Sequence, residues 1–264
     1  MLIAITHEVS SNLRDYEIFD RPRQVIDIDL ARRQHSQYED ALGELGCRLV
    51  RLSEQSRYPD SVFIEDTAVV LDEIAIGARP GVESRRGETE PIAEVLSNYR
   101  PVFQIQSPGT LEGGDVLRVG RTLYVGFSDR TNESGADQLG DLVAPYGYEV
   151  VNVHVDGCLH LKSAVTHVGE ENLLINKSWI DAKVFEGKTL IEVDPGEPYA
   201  GNSLLIAGEL MYSTMFPATR RRLEEKGISV RAVDMSEFQK AEGAVTCCSL
   251  IFRDESVAKG ELDV

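Results

Sequence analysis

A thiol, an imidazole and several carboxylates of this chain could together form a catalytic centre. Cys247 opens the apolar run TCCSLIF, and His160 follows a small-residue turn in GCLHLK. A thiolate is a strong nucleophile, and an imidazole beside it can transfer a proton at neutral pH. This pairing predicts covalent catalysis, with Cys247 as nucleophile and His160 as general acid and base.

The cysteines have to be distinguished from one another. Cys247 and Cys248 are adjacent, and on a strand their side chains would point in opposite directions, so only one can be the nucleophile. Cys47 and Cys158 are interpreted as small buried hydrophobic residues. No CxxC spacing occurs and the cysteine density is low, which indicates free thiols in a reducing compartment. We therefore predict a cytoplasmic protein.

Acidic residues are grouped in two short motifs. PDSVFIED places Asp60, Glu65 and Asp66 around an apolar VFI, and EGGD places Glu112 beside two glycines that permit close backbone approach. Carboxylates flanked by apolar strands are costly to bury without a cationic partner. That partner is either an internal arginine or a cationic ligand, and for EGGD a turn with solvated acids is the alternative.

Composition excludes several classes of partner. The formal charge of −17 argues against binding to nucleic acid or to an anionic membrane surface, and it mildly favours a cationic ligand. No run approaches the roughly 18 apolar residues of a membrane span, and the start MLIAITHEV lacks the basic residues of a signal peptide. With 264 residues and 42% hydrophobic content, we predict one domain over residues 1–264.

Five segments share one pattern, in which two apolar runs flank a tight turn. Each predicts a β-hairpin, and each is separated from the next by a helical pattern or a loop and one further short strand. Repeats that cannot bury their own faces have to stack or close around an axis, and we favour a ring. The loops that precede the hairpins would then converge at one end of the axis. The five segments are residues 64–79, 114–128, 162–178, 201–214 and 246–254.

The motifs resemble those of the dimethylarginine dimethylaminohydrolases, a branch of the amidinotransferase and arginine deiminase superfamily. The resemblance covers nearly the whole chain and rests on PDSVFIED, RPGVESRRGE, EGGDVL, RTNESGA, LHLKS and GAVTCCSLIF in that order. It implies a single-domain α/β fold, the five-unit pseudosymmetric propeller called the pentein fold. It also implies hydrolysis of methylated arginine to citrulline and an amine, with no metal and no organic cofactor.

By position, the resemblance makes Cys247 the nucleophile, His160 the general acid and base, and Glu112 the carboxylate beside it. It also implies a flexible N-terminal lid near residues 10 to 20. The substrate-binding residues that it implies are Asp60, Glu65 and Asp66 for the guanidinium, Arg85 and Arg130 for the α-carboxylate, the backbone of Ala241 for the α-amino group, and Ile18 for the lid contact.

Lys162 suggests a choice of substrate within the superfamily. Deiminases and amidinotransferases resemble one another in having Asp two residues after the catalytic histidine, where this chain has Lys162. A nitrogen with two methyl groups has no proton to donate, so an acceptor there would be left unpaired at a cost of about 1–3 kcal/mol. This favours a methylated arginine.

The alternatives are a hydrolase of another guanidino compound, such as a deiminase, and a non-catalytic binder of cationic amino acids. The oligomeric state is open, with a homodimer as one option.

Overall fold

The structure is a computed structural model that describes residues 1–19 and 21–254. Within these residues the chain forms five sheets of three strands, and the middle strand of each sheet is antiparallel to one neighbour and parallel to the other. The strands are β1 Leu2–His7, β2 Cys47–Leu52, β3 Ala68–Val70, β4 Ala75–Gly77, β5 Val102–Gln104, β6 Val116–Val119, β7 Thr122–Phe127, β8 Glu149–His154, β9 Val165–Gly169, β10 Asn172–Ile175, β11 Thr189–Glu192, β12 Leu204–Ile206, β13 Glu209–Ser213, β14 Val230–Val233 and β15 Leu250–Arg253.

Each of the longer helices connects two parallel strands of the same sheet, and two short helices lead from one sheet to the next. The first begins at Asp27, whose side chain accepts a hydrogen bond from the Leu30 N–H, and it ends before Gly46, which has a φ of 88° as predicted for a helix C-terminus. The α-helices are α1 Ile28–Glu44, α2 Thr89–Ser97, α3 Glu133–Val143, α4 Leu161–Ala164, α5 Pro217–Glu225 and α6 Ser236–Lys240. Short 3₁₀ helices cover Leu13–Asp15, Ile64–Thr67, Glu83–Glu88, Gly113–Asp115, Ala144–Tyr146 and Ala182–Phe185.

The first four predicted hairpins are confirmed as the pairs β3–β4, β6–β7, β9–β10 and β12–β13. In each sheet the further short strand adds in parallel to the second arm of its hairpin, which buries that arm on both sides. The predicted repeating unit, a hairpin with one further short strand, is therefore confirmed. One connection departs from it, because β10 and β11 are joined through the 3₁₀ helix Ala182–Phe185 and not through an α-helix.

The fifth unit is built from both ends of the described chain. The segment 246–254 supplies only β15, and β1 provides the second arm, with Leu2 opposite Arg253 and Ile5 opposite Leu250. β2 then adds in parallel to β1. Pairing of the first strand with the last strand closes the ring, and it explains why β1 is almost entirely buried.

The first strands of the five hairpins lie innermost, since β6 contacts β9, β9 contacts β12, and β15 contacts β3. Together they line an axial cavity of about 350 Å³. Buried apolar side chains of the described residues form five clusters. The predicted five-unit α/β propeller is thus confirmed. Residues 255–264 of the predicted domain lie outside the described part of the chain. No helix in the described ranges is both long and apolar enough to cross a membrane.

Candidate active site

A narrow cavity of about 20 Å³, which we call the catalytic cavity, lies where the inner strands begin. Four of the five loops that precede the hairpins contribute to it, so most of the predicted convergence occurs. The fourth loop instead supplies Asn202, which supports the site from outside the cavity. The predicted site residues that line the cavity are Asp60, Asp66, Arg85, Glu112, Arg130, His160, Ala241 and Cys247.

His160 and Glu112 form a close charged pair in the cavity. His160 Nε2 lies 2.7 Å from Glu112 Oε2, and both side chains are buried. Burial lowers the pKa of His160, but Asp66, Asp115 and Glu112 outweigh it and raise that pKa to about 9. His160 is therefore an imidazolium at neutral pH and can donate a proton.

Asp66 connects His160 to Arg85. One oxygen, Oδ1, lies 3.8 Å from His160 Nε2 and accepts a hydrogen bond from the Gly114 N–H at 3.2 Å, while Oδ2 accepts one from Arg85 Nη1 at 2.7 Å. Burial opposes ionisation of Asp66, but His160 and Arg85 hold its pKa below the usual value. The carboxylate therefore stays charged beside the imidazole.

Asp115 and Gly114 position His160. Asp115 Oδ1 accepts a hydrogen bond from the Leu161 N–H at 2.9 Å, which fixes the backbone directly after His160. A Cβ at Gly114 would lie 2.7 Å from His160 Nδ1 and 2.8 Å from Asp66 Oδ1. The EGGD motif thus supplies the close backbone approach that glycine was predicted to allow.

Cys247 lies in a turn and not, as predicted, at the start of a strand, because β15 begins at Leu250. The turn is closed by a hydrogen bond from the Cys247 N–H to the Ala244 carbonyl at 3.2 Å, and the Ala244 N–H approaches Cys247 Sγ at 3.4 Å. Cys248 is fully buried in the core. The two thiols do face different surroundings, but a turn and not strand alternation separates them.

The Cys247 thiol is protonated in the free protein. Burial raises the pKa of this thiol, and Glu65 and Asp66 raise it further, whereas the Ala244 N–H and Lys162 act weakly in the opposite direction. This direction agrees with the expectation that the carboxylates keep the thiol neutral until a cation binds.

Glu65 and Lys162 line the axial cavity instead of the catalytic cavity. Lys162 Nζ contacts Glu65 Oε1 directly, and Thr246 Oγ1 donates to Glu65 Oε2 at 2.6 Å. Asn202 Nδ2 donates to Thr246 Oγ1 and to the Lys162 carbonyl, both at 3.0 Å. Glu65 therefore has its ionic partner within the protein, and its contact with a guanidinium stays a prediction.

The helical conformation of residues 161–164 decides the direction of Lys162. His160 is extended and precedes α4, so that residue 162 turns away from the side of the imidazole. The suggestion that residue 162 could face a guanidinium nitrogen assumed an extended segment, and the segment is helical. The influence of Lys162 on the choice of a methylated substrate stays a prediction.

The two arginines predicted to bind the α-carboxylate differ in how far other protein groups already engage their guanidinium groups. Arg85 is buried and donates to Asp66, to both oxygens of Glu88, and to the Phe63 carbonyl at 3.0 Å. Arg130 makes one ion pair among the described residues, at 3.8 Å from Glu112 Oε1. Arg130 is thus the cation of the cavity that is more available to a ligand.

The N-terminal loop, residues 8–19 and 21–27, covers one side of the cavity. Ile18 is 45% exposed, and the neighbouring Glu17 lines the cavity in its place. The Glu17 N–H donates to Asp60 Oδ2 at 3.0 Å. The charged neighbours of Asp60 are Arg85, Glu17 and Arg130, and its contact with a guanidinium stays a prediction.

Sequence reasoning missed several residues that line the cavity. Glu17 is adjacent in sequence to the predicted Ile18, and Glu242 and Gly243 follow Ala241. Their proximity to predicted residues was the only available signal. The full set of unpredicted lining residues is Glu17, Phe63, Leu159, Glu242 and Gly243.

Asp66, Glu112 and His160 also satisfy the distance requirement for a metal site. One ligand atom of each lies within 4.8 Å of the others. Each of these groups is already engaged, His160 with Glu112 and Asp66 with Arg85.

Comparison with known proteins identifies relatives of this chain. A family model described as "N,N dimethylarginine dimethylhydrolase, eukaryotic" matches residues 11–252. The N(G),N(G)-dimethylarginine dimethylaminohydrolase of Pseudomonas aeruginosa is 37% identical over 224 residues, 84% of this chain and 88% of that protein. Its counterpart in Streptomyces coelicolor is 36% identical over 95% of this chain and 97% of that protein. A solved structure of a mutant of the Pseudomonas enzyme complexed with citrulline superposes with a TM-score of 0.90 at 34% identity, covering 94% of this chain and 98% of that one.

Proposed function

Because the chain belongs to the dimethylarginine dimethylaminohydrolase family, we propose that it hydrolyses Nω-methylated arginines to citrulline and methylamine or dimethylamine through a covalent thiouronium on Cys247. The observation that carries this proposal is the common cavity of Cys247, His160 and Glu112, residues that come from distant parts of the sequence. A thiol, a charged imidazole and a carboxylate provide a nucleophile, a proton donor and an orienting group.

Binding of the cationic guanidinium activates the thiol. In the free protein Glu65 and Asp66 oppose ionisation of Cys247. A guanidinium beside Asp66 neutralises this field, so the thiol loses its proton to solvent and the thiolate can attack the guanidinium carbon. The delocalised charge makes that carbon a poor electrophile, which is why a soft thiolate held in a fixed position is needed.

His160 acts on both halves of the reaction. When the bond from the guanidinium carbon to the methylated nitrogen breaks, the imidazolium donates its proton and the amine departs, leaving the thiouronium on Cys247. The neutral imidazole then takes a proton from the water that attacks the same carbon. Cleavage of the carbon–sulfur bond releases citrulline and restores the thiol. Glu112, 2.7 Å from His160 Nε2, keeps the ring oriented throughout.

The amino-acid end of the substrate is proposed to bind at Arg130. This side chain is buried in the cavity wall and has one ion pair, at 3.8 Å, among the described residues. Arg85 contributes mainly by holding Asp66 in place, since its donors are already used by Asp66, Glu88 and the Phe63 carbonyl.

A substrate can enter only after the N-terminal loop moves. The cavity of about 20 Å³ has room for about one water molecule. Two hydrogen bonds hold Glu17 of the loop at the cavity, one from the Glu17 N–H to Asp60 and one from Ser84 Oγ to Glu17 Oε1 at 2.5 Å. We therefore propose loop opening as the step that admits the ligand.

The test is parallel incubation with asymmetric dimethylarginine, monomethylarginine and arginine, with amine and citrulline both measured. We expect dimethylamine or methylamine in equal amount to citrulline from the methylated substrates. Ammonia from arginine as the dominant product would indicate a deiminase. Binding of all three without product would indicate a non-catalytic binder. Cys247→Ser, with Cys248→Ser as its matched control, separates turnover by this site from contamination.

A further inference from the structure

The residue directly before the inner strand of each sheet is charged in one unit of the ring. Before β6, in the second unit, this residue is Asp115. In the other four units it is small and uncharged, and all five positions are buried. The four uncharged residues are Thr67, Ala164, Ser203 and Ser249. The repeating unit therefore does not require a charge at this position, and the carboxylate in the second unit has a local cause.

The charge of Asp115 is unfavourable to the fold. Its side chain is fully buried, and burial raises its pKa from 3.8 to about 6, although His160 and three hydrogen bonds act in the opposite direction. Because the pKa is higher in the folded state, the stability contributed by the protonated carboxyl is present below pH 3.8 and is lost as the pH rises through 6. A carboxylate kept ionised at such a cost is typical of a functional position.

One oxygen of Asp115 holds the turn of His160. Asp115 Oδ1 accepts a hydrogen bond from the Leu161 N–H at 2.9 Å, directly after His160. Gly126 of β7 leaves space for this arrangement, because a Cβ there would lie 2.8 Å from Asp115 Oδ1 and 2.8 Å from the Leu161 Cβ. The negative charge of Asp115 also favours the protonated ring of His160.

The other oxygen holds the turn of Arg130. Asp115 Oδ2 accepts a hydrogen bond from Ser128 Oγ at 2.6 Å. Ser128 Oγ accepts in turn from the Arg130 N–H at 3.0 Å and from the Thr131 N–H at 3.3 Å. Thr131 Oγ1 accepts from the Glu112 N–H at 3.1 Å. The residues of the catalytic cavity whose backbone is connected to Asp115 in this way are Glu112, Arg130 and His160.

Three carboxylates act on the His160 imidazole, and they differ in their other partners. Asp66 is paired with Arg85, and Glu112 lies 3.8 Å from Arg130. Asp115 makes no salt bridge to a lysine or arginine within residues 1–19 and 21–254. Its charge is therefore the least compensated of the three. The other charged or titratable groups around the imidazole and Asp115 are Arg85, Arg130, Cys158 and Cys247.

We propose that Asp115 is a positioning residue of the hydrolysis, which places His160 and Arg130 through its two oxygens and favours the imidazolium form of His160 by its charge. The inference rests on the proposed function, in which His160 donates the proton to the leaving amine. Asp115 itself does not line the catalytic cavity, so it acts through these neighbours and not on the substrate.

The first test removes the charge of Asp115. Asp115→Asn keeps an acceptor for the Leu161 N–H, and we expect kcat on N-methyl-L-arginine at pH 8 to fall about 5- to 20-fold, since less imidazolium is present and the Ser128 hydroxyl loses its acceptor. The decline of activity at high pH should begin about one pH unit lower than in the wild type. Asp129→Asn is the matched control, because it removes the same charge from an exposed neighbour of Ser128. Its kcat and pH profile should equal those of the wild type.

The second test separates the two oxygens. Ser128→Ala keeps the charge of Asp115 but leaves the Arg130 N–H and the Thr131 N–H without their acceptor. We expect KM for N-methyl-L-arginine to rise about 5- to 10-fold, kcat to change by less than about threefold, and the pH profile to stay unchanged. An unchanged KM would remove Arg130 from the inference.

A titration of His160 does not depend on turnover. In protein that contains ¹³C-labelled histidine, the NMR signal of His160 is the one missing from His160→Gln. It should titrate near pH 9 in the wild type, and about one pH unit lower in Asp115→Asn. The Tm of Asp115→Asn at pH 8 should be no lower than that of the wild type, because an ionised buried carboxylate is removed.

The results separate this inference from the proposed function. A His160 signal that titrates at the same pH in Asp115→Asn, with lower Tm and equal loss of activity at every pH, would assign Asp115 to folding and overturn the inference alone. Wild-type protein that releases no methylamine from N-methyl-L-arginine would overturn the proposed function, and the inference with it.

Discussion

Two adjacent acids, Glu65 and Asp66, line two different cavities of the propeller. They lie in the 3₁₀ helix Ile64–Thr67, in which successive side chains point about 120° apart. Glu65 reaches the axial cavity, where Lys162 neutralises it, and Asp66 reaches the catalytic cavity, where Arg85 and His160 surround it. One dipeptide thus forms part of the wall between the two cavities.

The comparison teaches that charge alone does not define the catalytic cavity. Both acids are buried and both have cationic partners. Only Asp66 has an imidazole, that of His160, among those partners, and only its cavity contains the thiol. A carboxylate beside a lysine keeps its charge fixed, whereas a carboxylate beside an imidazole takes part in proton transfer. Variants of the residues on either side of this wall test the division.

The two adjacent thiols should differ most. Cys247→Ser removes the nucleophile in the catalytic cavity, so we expect kcat to fall by more than about 1,000-fold. Cys248→Ser changes a core side chain and should keep most of the activity, with a lower Tm. Steady-state assays of amine release and thermal melts measure both. Substantial turnover by the Cys247 variant would remove the assignment.

Glu112→Gln weakens the catalytic pair without removing its hydrogen-bond acceptor. We expect kcat to fall about 100-fold, since the imidazolium loses the carboxylate that orients it. Glu112 also raises the pKa of His160, which is about 9, so activity should decline above pH 9 in the wild type and at lower pH in the variant. The pH profile of kcat/KM measures this. A decline at the same pH in both proteins would mean that His160 is not the titrating acid.

Lys162→Met tests the axial pair. It leaves Glu65 buried beside an apolar side chain, and we expect a loss of about 2–4 kcal/mol in the free energy of unfolding. The double variant Glu65→Gln, Lys162→Met should recover most of that loss because no unpaired charge remains. Urea denaturation gives the values. The ratio of kcat/KM for dimethylarginine and arginine should stay unchanged, and a shift of that ratio would contradict the position of Lys162 outside the catalytic cavity.

The smallest expected effect is that of the charges in the axial cavity on the pKa of the Cys247 thiol. Because the Cys247 thiol has a raised pKa, its alkylation by iodoacetamide should accelerate about tenfold per pH unit between pH 7 and 9. Glu65 raises this pKa and Lys162 lowers it. Glu65→Gln should therefore speed alkylation at pH 8, and Lys162→Met should slow it, each about two- to fivefold. A pH-independent rate would contradict a protonated thiol.

The sequence by itself determined the repeating unit and the chemical groups of the site. Apolar runs around tight turns specify hairpins locally, and helix ends such as Gly46 are set by neighbouring residues, so both could be predicted without knowing the ring. Cys247, His160 and Glu112 were predicted from their side-chain types and from the order of motifs in the family resemblance, and they line one cavity.

Tertiary structure alone decided which way the side chains point and what already neutralises them. The 3₁₀ turn at Glu65 and the helical turn at Lys162 direct both residues to the axial cavity, although the sequence allowed an extended backbone there. Arg85 is satisfied by Glu88, and Glu242 approaches the N-terminal loop across more than 200 residues of sequence. Hydrogen-bond partners, burial and hence pKa values depend on such long-range contacts, which local patterns in the chain do not encode.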